Sequence, residues 1–299
     1  MLDGLAGAVA QQCQLPNPPA GWPKLCTEFD AQTGRLKDWI ERRFEPWLLN
    51  NPDGSTKGLI TGYYEPLLTG SRERRSPRQV ALHRRPPARL IAGNPPRAQI
   101  ENQNLLAGHE LVWIDDPVEA FLLHVQGSGR VRLDDGQWMR VGYAGSNEQR
   151  YQAIGQVLVE RGALKIGEVD AQAIRNWLKA NPSQALEVMH SNPRYVFFRE
   201  LEGKADHEGP IGSLGVSLTA GRSVAIDPKR IPGGSLMFID TTHPLDGRPL
   251  RRTMVAQDTG AAIVGQVRAD IFWGTGPDAG AAAGRMKQSG QIWLLVARE

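Results

Sequence analysis

Two aspartates late in the chain, Asp258 and Asp270, stand twelve positions apart, each at the edge of an apolar run. Asp258 closes Met254-Val255-Ala256-Gln257, and Asp270 opens Ile271-Phe272-Trp273. Aspartate is a poor strand residue and costs free energy to bury unpaired. A carboxylate at each end of a hydrophobic hairpin therefore needs a reason. Turn formation is one, since Asp258-Thr259-Gly260 suits a turn. A pair of carboxyls with perturbed acidity in a cleft is the other. Asp227, in Ala225-Ile226-Asp227-Pro228, is a third candidate.

Other chemistries are set aside by what the chain lacks. It has no Gly-x-x-x-x-Gly-Lys phosphate loop, no Gly-x-Ser-x-Gly elbow and no His-Glu-x-x-His. The six histidines lack ligand spacing, so neither a metal nor a cofactor is expected and carboxylates are the best acid–base groups. An aspartic protease needs two Asp-Thr-Gly loops sharing a proton, and only one is present. A glycosidase uses two carboxyls flanking the sugar bond. Asp227, Asp258 and Asp270 could supply them, but sequence spacing does not give their separation.

The elements that would hold these groups read as mainly β. The 299 residues suffice for two domains or one large β-rich one, and 33 glycines with 21 prolines favour turns over long helices. A net charge of +3 does not suggest nucleic-acid binding. No apolar run approaches the ~20 residues of a membrane span. Residues 1–10 lack a basic start and carry Asp3, unlike an intact signal peptide. Cys13 and Cys26 are the only cysteines, with no histidine near enough for a zinc site. They read as one disulfide over a short loop or as two free buried thiols.

Taken in order, residues 1–29 read as an extended, proline-punctuated arm. Asp30 offers a cap for a helix through about Leu49, with Leu36, Trp39, Ile40 and Phe44 at helical spacing and Pro46 ending or kinking it. A strand from Gly58 puts Tyr63 and Tyr64 on opposite faces, one for the core and one free to line a groove. Ser71–Leu90 holds seven arginines against Glu73, with Pro77, Pro86 and Pro87, and reads as a solvated loop or an attractor of an anionic polymer. Without interleaved aromatics it does not suggest single-stranded nucleic acid.

Ala120–Gln126 reads as a strand entering the turn Gly127-Ser128-Gly129, and Asp135-Gly136 as a hairpin turn. Helices are expected from Asn147 to Arg161, from Asp170 to Ala180 and from Pro182. A polar stretch, Leu201–Pro210, marks a boundary. Beyond it, strands are expected at 214–218, 223–226, 235–239, 252–257, 262–264 and 292–297, with a helix at 277–288. Short strands closely spaced by Gly/Pro turns predict a small closed barrel.

Several of these stretches resemble one family. Thr61-Gly62-Tyr63-Tyr64-Glu65-Pro66, Val125-Gln126-Gly127-Ser128-Gly129, Gly142-Tyr143-Ala144-Gly145, Tyr195-Val196-Phe197-Phe198 and Ala256-Gln257-Asp258-Thr259-Gly260, then Ala269-Asp270-Ile271-Phe272, occur in the order seen in the MltA family of membrane-bound lytic murein transglycosylases. The last third resembles its "3D" module, whose three aspartates would be Asp227, Asp258 and Asp270.

The resemblance implies a double-psi β-barrel from residues 1–69 and 205–299. A mostly β glycan-binding domain would be inserted at 70–204, with a few short helices and a groove between the domains. It implies cleavage of the MurNAc-β-1,4-GlcNAc bond of peptidoglycan without added water, leaving 1,6-anhydro-MurNAc ends. Asp270 would act as acid and then base, its pKa raised by burial and by a nearby anionic Asp258 that orients it. The attacking C6 hydroxyl belongs to the same sugar, and its high effective molarity can replace both water and a second catalytic carboxylate.

Asp227 would be structural or a site residue. Tyr63, Tyr64, Glu65, Gln126, Ser128 and Tyr143 would contact sugars. Glycan strands are the implied partner, with other cell-wall enzymes beside them. The implied location is the periplasm, at the outer membrane through a lipid anchor that this sequence does not show. A hydrolytic glycosidase on a similar barrel and a non-catalytic peptidoglycan-binding module are the alternatives.

Overall fold

A computed structural model describes residues 4–15, 18, 21–29, 35–202 and 209–298. The chain divides into two compact units, one of residues 1–64 and 206–299, the other of residues 65–205. Asp30, expected to cap a helix, and residues 203–208 of the expected boundary lie outside the described residues.

The first segment corrects the expected extended arm. Helices α1 (Leu5–Cys13) and α2 (Trp22–Glu28) form there, each entered through a glycine at positive φ, Gly4 and Gly21. Leu5, Ala8 and Val9 lie on one helical face and are fully buried, packing with Trp22, Leu25 and Trp39. That burial outweighs the prolines, which fall largely between the helices. Cys13 and Cys26 are joined as a disulfide. Helix α3 (Leu36–Arg43) is shorter than expected, and strand β1 (Phe44–Leu48) takes over two residues before Pro46. Proline disfavours helical backbone before it and is tolerated on an edge strand; among the described residues β1 pairs only with the strand Lys287–Ala297. Strand β2 (Gly58–Glu65) forms as read.

The second unit is built on β3 (Leu67–Ser71), β4 (Val80–His83), helix α4 (Arg97–Asn102), β5 (Glu110–Ile114), α5 (Pro117–Gln126), β6 (Ser128–Leu133) and β7 (Trp138–Ser146). Helices α6 (Ile154–Glu160), α7 (Ala171–Ala180), α8 (Pro182–His190) and strand β8 (Val196–Glu200) complete it. The sheet order is β4-β5-β3-β6-β7-β8. Residues 117–126 are helical, not the expected strand. Asp116 Oδ1 accepts from the amides of Val118 and Glu119, Pro117 fills the first turn, and Gly127 at φ 80° ends the helix. These caps outrank the apolar run between them.

Asn147 is not a helix cap. It is fully buried, donating to the carbonyls of Pro95 and Pro193 and accepting from the Tyr195 amide; α6 starts only at Ile154. Asp170 does cap α7, through the Ala173 amide. The arginine-rich stretch is tied down more than a solvated loop would be. It includes β4, Arg72 grips Glu200 with two hydrogen bonds, and Arg75 pairs with Asp134.

The chain then returns to the first unit with β9 (Ser223–Ile226), β10 (Leu236–Thr242), β11 (Pro249–Thr259), β12 (Arg268–Thr275), α9 (Pro277–Arg285) and β13 (Lys287–Ala297). Strands expected at 214–218 and 262–264 do not form; an isolated bridge between Ile211 and Ser217 stands at the first, and the second is the end of a turn followed by irregular backbone. The order β13-β10-β11-β9-β12-β2, with β2 pairing back onto β13, closes a six-stranded barrel. The mainly β class with a closed barrel, a second sheet and few helices is thus as expected. Ile60, Val224, Ile226, Met237, Ile239 and Ile292 fill its core.

Candidate active site

Strand β9 is the spine of the site. Ala225 pairs in parallel with Asp258 of β11 on one side and antiparallel with Asp270 of β12 on the other. The two aspartates therefore flank one small residue, two strand spacings or about 10 Å apart at Cα. They are not the two ends of a hairpin. A bulge at Gln257 sets the register that aims Asp258. Gln257 itself is fully buried, donating to Ala8 O and Gln12 Oε1 and accepting from the Ser223 hydroxyl, so helix α1 is pinned beside Asp258.

Strand β2 supplies the donors. Thr61 and Tyr63, two apart, share a face. Thr61 Oγ1 donates to Asp270 Oδ1 at 2.6 Å, and Tyr63 OH donates to Asp258 Oδ2 at 2.8 Å. Gly62 between them faces the other way, where a Cβ would lie 2.6 Å from Trp273 Nε1. Only glycine lets β2 lie this close. Tyr63 stacks at a tilt on Phe272, centroids 5.4 Å apart. Burial and the Asp258 charge hold its phenol well above the usual range, so it stays a donor.

The two carboxyls differ in environment. Asp258 Oδ1 also accepts from the amides of Ser213 and Thr259, both at 2.9 Å. Burial still outweighs these donors and raises its pKa. Among the described residues Asp270 has one side-chain hydrogen-bond donor, Thr61. Burial pushes it up to about 6 against the hydrogen bond from Thr61 and the charge of Arg268, with a smaller upward push from Asp258. A carboxyl poised near neutrality beside a hydrogen-bonded carboxylate is the pattern of a general acid with a positioning partner. Because Oδ1 accepts from Thr61, the proton of neutral Asp270 sits on Oδ2.

Each of the remaining sequence candidates has its own surroundings. Asp227, just past β9, is buried. It accepts from the amides of Gly265 at 2.9 Å and Lys229 at 3.0 Å, which hold it below the usual carboxylate range, Gly265 most strongly. It fastens the loop before β12 and takes no part in the Asp258–Asp270 hydrogen bonds. Tyr64 is half-buried, its ring against Gly280 of α9, where a Cβ would come within 2.9 Å.

Glu65 is 1% exposed and accepts from Arg130 Nε at 2.8 Å and Arg140 at 3.5 Å; its carboxylate is enclosed in the second unit. In that unit Ser128 pairs with Gly142, next to the half-exposed Tyr143, and Gln126 ends α5. Sequence reading missed Thr61 and Ser213. Thr61 had a signal, the alternation that places it on the Tyr63 face. Ser213 reaches Asp258 through both its backbone amide and its side chain, from a stretch with no signal of its own.

With this geometry in view, comparison with known proteins is specific. Residues 59–199 match the family described as MltA specific insert domain, and residues 222–296 match the 3D domain. The membrane-bound lytic murein transglycosylase A of Escherichia coli K12 is 33% identical over 291 residues, 91% of this chain and 78% of that protein. Among solved structures, the lytic transglycosylase LtgG of Burkholderia pseudomallei is 48% identical, with TM-score 0.66, covering 100% of this chain and 91% of that one. Escherichia coli MltA with bound chitohexaose superposes with TM-score 0.84 at 27% identity, covering 99% and 89%.

Proposed function

The chain belongs to the MltA family of lytic murein transglycosylases, and on that basis we propose that it cleaves the MurNAc-β-1,4-GlcNAc bond of peptidoglycan, leaving 1,6-anhydro-MurNAc ends. The observation that carries the reading is Asp270, half-buried, near pKa 6, with one oxygen fixed by Thr61. In the proposed step, Asp270 Oδ2 gives its proton to the glycosidic oxygen as the bond to C1 breaks. The GlcNAc 4-hydroxyl leaves. The C6 hydroxyl of the same MurNAc attacks C1, and its proton goes to the Asp270 carboxylate, which restores the acid. No water is consumed.

Asp258 supports this by keeping negative charge near Asp270, fixed in place by Tyr63, Ser213 and Thr259. We assign catalysis to the barrel and glycan contacts to Tyr64 there and to Gln126, Ser128 and Tyr143 in the inserted unit. The chitohexaose held by the Escherichia coli relative supports a glycan strand as ligand. The relatives are named membrane-bound, and no helix among the described residues is long and apolar enough to cross a membrane; we place the protein in the periplasm, at the outer membrane.

Digestion of purified sacculi tests the reading through product mass. Anhydro ends, lighter by one water than reducing ends, are expected. Reducing ends as the main product would indicate a hydrolase, and an intact sacculus a binding module.

A further inference from the structure

The second unit holds a cavity of about 390 Å³ between β4, β5 and helices α4, α5 and α8. That lies within the ~300–1,000 Å³ usual for small-ligand sites. Nothing in the proposed chemistry uses it. Its inner wall is polar but electrically quiet. His83 Nδ1 lies 2.8 Å from the Tyr195 hydroxyl, and His124 Nδ1 accepts from the Val196 amide at 3.0 Å. Burial lowers both imidazoles, His83 to about 4, so at neutral pH they are uncharged. The Arg97 guanidinium is stacked on Phe121 and Tyr195, each at 4.9 Å, and its charge is met by Glu101.

The uncompensated charges lie on two other lining residues. Strand β5 carries a bulge at Leu111. Trp113 pairs with Ala81, and Glu110 with His83. Ala81 and His83 share a face of β4, so the bulge brings Glu110 and Trp113 to one face although they are three apart. The Glu110 carboxylate takes no hydrogen bond or ion pair among the described residues; it acts on the neutral His83 ring through its field, and Arg84 engages its backbone carbonyl. Arg74 lies 5.2 Å over the Trp113 ring and, among the described residues, donates only to the carbonyls of Ser76 and Pro77 and meets no carboxylate. The cavity therefore offers a carboxylate, a guanidinium and a flat apolar surface. That arrangement fits a ligand with an ammonium, a carboxylate and a short aliphatic body.

We propose that this cavity binds the peptide stem of peptidoglycan, taking the zwitterionic free end of a diaminopimelate-type residue between Glu110 and Arg74 with its methylenes on Trp113. The choice of ligand rests on the peptidoglycan reading above. A lysine-type stem offers the ammonium without the carboxylate, so it would engage Glu110 and not Arg74.

The test is a calorimetric titration of the full chain with the tripeptide L-Ala-γ-D-Glu-meso-diaminopimelate and with its lysine analogue. The diaminopimelate peptide should bind at least ten-fold more tightly than the lysine one. Glu110→Gln should weaken both at least ten-fold, and Arg74→Gln only the first. Both variants should cleave peptide-free glycan at the wild-type rate. Failure of the wild type to bind the tripeptide, or equal binding by wild type and both variants, overturns the inference. If the wild type binds the tripeptide but does not cleave peptide-free glycan, the cavity assignment stands and the transglycosylase reading falls.

Discussion

Thr61 donates to Asp270 across the seam between β2 and β12 at 2.6 Å, and among the described residues it is the one side chain that hydrogen-bonds the candidate acid. It stabilises the carboxylate and so opposes the burial that raises the pKa. Thr61→Val should therefore move the alkaline limb of the pH–rate profile upward by about half a unit to one unit. It should also lower kcat about ten-fold, because the carboxylate formed on proton donation loses its donor. Thr61→Ser should restore both. An unmoved limb in Thr61→Val would separate Thr61 from the acid.

Asp270→Asn should abolish turnover and yet stabilise the fold at alkaline pH. The neutral form of Asp270 is favoured in the folded state up to about pH 6, against a usual value of 3.8. Its advantage is complete below the lower value and lost as pH rises through the upper one. Above pH 6 the wild type carries an unfavourable buried charge costing at most about 3 kcal/mol, less where solvent screens it. The variant should melt higher than wild type at about pH 8 and level with it near about pH 3.5. Residual anhydro product from the variant would move the acid elsewhere.

Glu65→Gln tests a buried charge cluster. Two arginines, 12% and 6% exposed, face a carboxylate that is 1% exposed. Removing one member of such a cluster costs about 3–5 kcal/mol, because the remaining charges stay buried. Urea unfolding should show a loss of that size. A loss under about 1 kcal/mol would mean that water reaches the guanidinium groups.

Cys13→Ser with Cys26→Ser removes the staple between α1 and α2. The cysteines are thirteen positions apart, and closing a loop of that length is worth about 3 kcal/mol through the unfolded chain. The double variant should lose about that much stability. Wild-type protein treated with reductant should lose the same amount. An unchanged melting temperature would show that the packing of Leu5, Val9 and Trp22 suffices alone.

Much of the site was legible because its signals are local. The Asp258 and Asp270 runs and the Thr61–Pro66 motif carry their residue types in short stretches. The relation between them was not legible. Both aspartates flank Ala225, and no spacing along the chain announces that β9 lies between β11 and β12. The N-terminal helices were missed because prolines are conspicuous while burial against the barrel is not. Helix α5 was missed for the opposite reason, since its apolar run hid the cap at Asp116. The ion pairs of Glu65 had no local signal, because its partners, Arg130 and Arg140, lie on later strands.

Strand β13 has a consequence for how the protein is made. It pairs with β1, β10 and β2, and Lys287 is the partner of Thr61. A ribosome delivers Thr61 early and Lys287 much later. The inserted unit is contiguous and has its own core, so it can settle while the first strands of the barrel wait with unpaired edges. Pairing that distant in sequence is slow to form and exposed to misassembly in the interval. A chain stalled just short of Lys287 would carry Thr61, Tyr63, Asp258 and Asp270 and still be inert, because the ring that aligns them would be open. Alignment of these four side chains would thus arrive only with the closing strand, so the geometry of the candidate site depends on a segment made long after its first residues.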